Sequence, residues 1–213
     1  MNRFFKIKRN ILKKGFTLIE LLITLSIFAV TTGMVMYSQG KFDSSVLLSN
    51  LAYDIAITIR QAQTFGINVK EFTSSGGSKF SSYGVVFDLE NIGNKQFNLF
   101  TDMPNINGVG NSDFDGDVSC PTNDQECVNK YVLKNNNIID SICVGDNEFS
   151  CETVNKLVIL FTRPDPDAKI FADDNIGSPR NFAKIVVSSV ADPTAKRSII
   201  VNNIGQIYVQ PQP

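Results

Sequence analysis

One stretch limits what this chain can become. Residues 16–37 read FTLIELLITLSIFAVTTGMVMY, an apolar run broken by a single charge, Glu20. A helix needs about 20 such residues to cross the hydrocarbon core of a bilayer. Insertion scales place a charged residue at the centre of such a helix at a cost of about 2.5–3.5 kcal/mol. A carboxylate kept there is therefore a functional candidate. The flank before the run is basic: Arg3, Lys6, Lys8, Arg9, Lys13 and Lys14 precede Gly15, with no acid among them. Such a flank stays on the cytoplasmic side. The expected topology is a single pass through the cytoplasmic membrane, with the N-terminus inside and the rest outside. The net charge of −1 conceals this asymmetry. Six of the 20 Lys and Arg residues lie in the flank, so 14 remain against 21 acidic residues, a net of −7.

The order of basic leader, Gly15, Phe16-Thr17-Leu18-Ile19-Glu20 and long apolar helix resembles the class III signal of type IV pilins and pseudopilins, over about residues 9–30. The resemblance implies cleavage after Gly15 by a prepilin peptidase and N-methylation of the new first residue, Phe16. It also implies a role for Glu20 in assembly, with other pilins or pseudopilins and an inner-membrane assembly platform as partners. The product would be a type IV pilus at the cell surface or an extracytoplasmic pseudopilus of the type II secretion kind. A Sec-type signal peptide is not expected, because the cut precedes the apolar run and leaves it on the mature chain. The charges make physical sense. Glu20 lies four residues past Phe16, about 6 Å along a helix axis. A buried carboxylate without a cation is costly. A neighbouring subunit displaced along the axis could bring its Phe16 amine to Glu20 and so set the stagger of a filament.

The helix is expected to continue past residue 37, although Thr31-Thr32-Gly33 and Gly40 are weak helix formers and mark where it unwinds most easily. Leu47, Leu51, Ile55, Ile59 and Ala62 recur at helical spacing and predict a buried stripe. Gly66 is the expected C-cap. A helix over residues 16–65 would be about 75 Å long. Beyond it, residues 72–82 (FTSSGGSKFSS) read as a Gly/Ser-rich loop. Short strands are expected at 83–89, 96–100, 130–133, 138–142, 156–161, 184–190, 198–201 and 206–209. One long helix followed by many short strands predicts an α+β fold, with the amphipathic second half of the helix packed on one antiparallel sheet or two. The expected organisation is a leader (1–15), a transmembrane or filament-core helix (16–37), an amphipathic continuation (38–66) and a β-rich extracytoplasmic domain (67–213). The helix end Arg60-Gln61-Ala62-Gln63, the run Tyr83-Gly84-Val85-Val86-Phe87 and the closing Ile204-Gly205-Gln206-Ile207-Tyr208-Val209 extend the resemblance to minor pilins of the GspH/FimT type.

Four cysteines in an extracytoplasmic domain are expected to pair. Three pairings are open. The local ones, Cys120 with Cys127 and Cys143 with Cys151, close polar loops of six and seven residues and are favoured over a four-thiolate zinc site, whose usual knuckle spacing is absent. Asn111, Asp113, Asp115 and Gly116 follow the opening of a calcium loop, with Asp117 offering a carbonyl; the twelfth position is Thr122 instead of a bidentate Glu. Asp102 or Glu126 would have to complete it by folding. A solvated turn is the favoured reading, with structural calcium as the rival. Arg163-Pro164-Asp165-Pro166-Asp167 reads as a stiff turn. No histidine is present, which removes Ser-His pairs and His-ligated metals. No enzymatic activity is expected. The alternative to a structural subunit is a binding subunit, an adhesin or a DNA-uptake component. Nucleic acid is disfavoured by the acidic mature chain, with Lys184, Lys196 and Arg197 the one local basic patch considered.

Overall fold

A computed structural model describes residues 15–68, 71–74, 77–103, 110–114, 120, 126–173, 178–190 and 192–211, with the backbone alone at 38–43, 71–74 and 77–80. The chain divides into two compact units, 1–42 and 43–213. One helix, α1 (Leu18–Ile67), contributes to both.

In the first unit, the segment Leu18–Tyr37 is long and apolar enough to cross a membrane, and none of it is buried. The hydroxyls of Thr24, Ser26 and Thr31 do not oppose that. Thr24 and Ser26 donate to the carbonyls of Leu21 and Ile23, and Thr31 to those of Ile27 and Phe28. Polar groups bonded to their own helix avoid the cost of an unsatisfied donor in lipid. Thr31-Thr32-Gly33 is helical.

The second unit is an α+β domain. Its first strands, β1 (Glu71–Ser74) and β2 (Gly77–Phe80), form an antiparallel hairpin where the Gly/Ser-rich composition predicts a loop. The flanking Phe and Thr residues suit strands. Ten further strands follow: β3 (Ser82–Asp88), β4 (Gln96–Asp102), β5 (Cys127–Val132), β6 (Asn137–Asn147), β7 (Ser150–Val154), β8 (Lys156–Phe161), β9 (Ala168–Ala172), β10 (Phe182–Ser189), β11 (Lys196–Asn202) and β12 (Ile207–Pro211). They make two five-stranded antiparallel sheets, β5-β4-β3-β8-β9 and β12-β11-β10-β6-β7.

Both sheets and the second half of α1 share one core. Leu48, Ala52, Ile55, Ile59 and Ala62 of the helix are fully buried, clustered with Val85, Phe87, Leu99, Leu157 and Ile159 of the first sheet and Ile142, Ile185, Val187, Ile199 and Val201 of the second. Each of the Leu, Ile, Val and Phe side chains among them contributes about 1.5–3 kcal/mol on burial. The stripe coincides with the expected one at Ile55, Ile59 and Ala62 and departs from it at the start, where Leu48 and Ala52 take the places of Leu47 and Leu51. Leu48 is buried, whereas Leu47 remains 41% exposed. Steps of four residues overshoot a 3.6-residue turn and walk around the helix; the buried face alternates steps of four and three. The first sheet is apolar on its other face as well. Val86, Phe100, Val158, Leu160 and Phe171 form a second cluster there, with Phe114 packed on it. That explains why β3 reads as a continuous apolar run without alternation.

Gly66 is not a C-cap. It lies inside α1, one residue before the end, where a Cβ would stand 2.6 Å from the Phe161 carbonyl oxygen. Its smallness lets the helix approach β8. The helix end is held by a neighbouring side chain. Gln63, buried, donates through Nε2 to the carbonyls of Pro166 (2.8 Å) and Gly205 (3.1 Å), and its Oε1 accepts from Arg60 (2.6 Å). Gly205 adopts φ +76°, and a Cβ there would strike both the Pro166 carbonyl and Gln63. The Pro-Asp-Pro turn, the β11–β12 turn and the end of α1 thus meet at one amide.

Candidate functional site

Thr17 precedes the first residue of α1, and its carbonyl accepts the first intrahelical bond, from Leu21 N at 3.2 Å. Its side chain closes the helix start. Thr17 Oγ1 accepts from Glu20 N at 3.3 Å, and the Glu20 carboxylate reaches back to accept from Thr17 N at 3.0 Å and from Thr17 Oγ1 at 2.8 Å. This is a capping box, in which a Thr and the acid three residues on satisfy donors that the helix itself leaves open. The Glu20 charge also complements the positive end of the helix dipole. Phe16 stands before the cap with 72% of its surface exposed, and a Cβ added at Gly15 would meet nothing within 4 Å. Among the described residues nothing crowds Gly15, and Phe16, Thr17 and Glu20 lie together at the helix start. The sequence reading missed Thr17. The signal was present: Thr-x-x-Glu ahead of an apolar run is the capping-box pattern.

Away from this turn, the cysteines form two bridges, Cys120–Cys127 and Cys143–Cys151, with Cα atoms 5.7 and 5.5 Å apart. The second ties β6 to β7, a polar edge strand that lacks the apolar residues by which strands are recognised. Of the calcium candidates, Asp115 and Asp117 lie outside the described residues. Asn111 Oδ1 accepts from Asp113 N at 3.0 Å. Asp113 accepts from Phe114 N at 2.8 Å and pairs with Lys156 Nζ at 2.8 Å. Asp102 and Glu126, both buried, accept from the backbone N–H groups of Ser112 and Met103. Among the described residues no group of three or more His, Cys, Asp or Glu is placed to hold a metal.

Two members of the basic patch, Lys196 and Arg197, are engaged within the fold. Lys196 pairs with Asp140 at 2.8 Å. Arg197 donates to Ser49 and Ser45 of α1 at 3.1 and 3.2 Å, fixing β11 to the helix. Burial pushes the Tyr83 phenol above its usual range, partly offset by a hydrogen bond with Thr101.

Residues 12–36 match the family model described as the prokaryotic N-terminal methylation motif. No curated protein and no solved structure matches the chain.

Proposed function

Because the chain carries a type IV pilin-like class III signal, we propose that it is a minor pilin or pseudopilin of the GspH/FimT type. It is cut after Gly15 by a prepilin peptidase, methylated at Phe16 and assembled into a type IV pilus or a type II secretion-like pseudopilus. It waits in the cytoplasmic membrane with residues 16–37 spanning, residues 38–66 as amphipathic helix and residues 67–213 as the extracytoplasmic domain. The observation that carries this reading is the wholly exposed apolar helix Leu18–Tyr37, opened by a carboxylate at its first turn. Lipid covers such a surface before assembly and neighbouring helices cover it afterwards; the Phe16 amine of one subunit meets Glu20 of another. Mass spectrometry of the membrane-extracted protein tests maturation. A chain beginning at Phe16 with one added N-methyl group supports it; a chain that keeps residues 1–15 in the presence of a prepilin peptidase opposes it.

A second reading, display of a binding surface, is favoured by Phe149. It is 99% exposed at the tip of the disulfide-tied β6–β7 hairpin, beside a groove of about 550 Å³ that Ile204 and Tyr208 also line. Phe149→Ser would then reduce adhesion by filaments of unchanged number.

A further inference from the structure

The Glu20 carboxylate has two oxygens, and the capping box uses only one. Both bonds from Thr17, through N and through Oγ1, end on Oε2. No hydrogen bond to Oε1 occurs among the described residues, and the side chain is exposed. We propose that Thr17 is a positioning residue for assembly. By holding Oε2 it fixes the Glu20 rotamer and leaves Oε1 unengaged by the helix start, open to the cationic amine of a second copy of this chain. Cap and intersubunit contact then coexist on one carboxylate, and docking does not require the helix start to open. This deepens the reading of Glu20 given above and rests on it.

Three physical points carry the inference. A free Glu side chain keeps rotamer freedom that must be lost on pairing; the cap removes most of that loss beforehand, which is how preorganisation raises affinity. A carboxylate already bonded to its own helix is also less costly to keep in lipid while the subunit waits. Finally, cleavage after Gly15 leaves Phe16 as the one residue ahead of Thr17, so no upstream segment remains to hold the first turn. The cap is the local device that stops it fraying at the point where the charged contact must form. The pattern asks for a hydroxyl at position 17: serine would serve, and valine, equal in shape, would not.

The test uses the full-length chain with Thr17→Val and Thr17→Ser substitutions. Amide hydrogen exchange at Thr17 and Glu20 is read by NMR in bicelles. Incorporation of processed subunit into filaments is read in cells that carry the assembly machinery, as a fraction of processed membrane-bound protein. We expect Thr17→Val to exchange about fivefold faster or more at both amides and to lose most of its incorporation, and Thr17→Ser to restore both. Unchanged exchange in Thr17→Val overturns the cap. Faster exchange with full incorporation overturns the positioning role, as does failure of Thr17→Ser to rescue. Should Thr17→Val block cleavage, exchange in the uncleaved chain and incorporation of a Thr17→Ala chain decide in the same way. Glu20→Gln is measured alongside: if it assembles normally the broader reading fails, whereas a defective Glu20→Gln beside a normal Thr17→Val removes this inference alone.

Discussion

Replacing Gln63 by alanine tests how the end of α1 is fastened to the sheets. Its side chain is 5% exposed and gives two donors, one to Gly205 O in a buried setting and one to Pro166 O in a half-buried one. Truncation leaves the Gly205 carbonyl without its donor, a loss of about 1–3 kcal/mol for a buried group. Pro166 is exposed and its carbonyl can turn to water, so that bond is worth only about 0.5–1.5 kcal/mol. Together these predict a loss of about 3 kcal/mol, which in a protein of this size lowers the melting temperature by roughly 6–12 °C. Thermal unfolding of the full-length chain in detergent, followed by near-ultraviolet circular dichroism, provides the measurement. Gln63→Met, which keeps length and loses both donors, should behave like Gln63→Ala; Gln63→Asn, too short to reach, should as well. A drop under about 1 kcal/mol in all three would refute the idea that this amide joins helix and turns.

Three further outcomes are expected. The raised Tyr83 phenol releases its proton later in the folded state than in the unfolded one, so its stabilisation is complete below about pH 10 and is lost as pH climbs through the folded value; urea unfolding at stepped alkaline pH should show a slope that Tyr83→Phe flattens. Each disulfide closes a loop of seven or eight residues by sequence separation, so Cys143→Ser with Cys151→Ser should lower stability by about 2–3 kcal/mol, read by denaturant titration. A calcium chelator is expected to leave the melting temperature unchanged, because Asp113 already serves Lys156; a fall reversed by added calcium would assign the ion to residues 111–117.

The helix, the N-terminal signal motif and most of the strands were legible in the sequence because each rests on local signals. The run at 156–161 coincides with β8, and the runs at 83–89 and 96–100 lie within a residue or two of β3 and β4. What escaped was non-local or polar. β7 reads Ser-Cys-Glu-Thr-Val and is a strand because β6 pairs with it, not because it is apolar. β9 follows two prolines and was masked by them, though Ala168, Ile170 and Ala172 enter the core. The partition into two sheets depends on pairings such as β3 with β8 and β6 with β10, which no local pattern reveals. Gln63 and Gly205 entered through a likeness to minor pilins, and Gly66 was read as a C-cap; the clamp at the helix end and the close approach of Gly66 to β8 supply their physical reasons. At the helix start, attention to the charge of Glu20 obscured the hydroxyl that holds it.

The central claim is that a carboxylate one turn into an apolar helix serves the joining of subunits. Glu20→Gln keeps the shape and the bond from Thr17 while removing the charge. In cells with the assembly machinery, the fraction of correctly processed subunit found in filaments should collapse, with membrane level and N-terminal maturation unchanged. Incorporation equal to that of the unaltered chain would contradict the account.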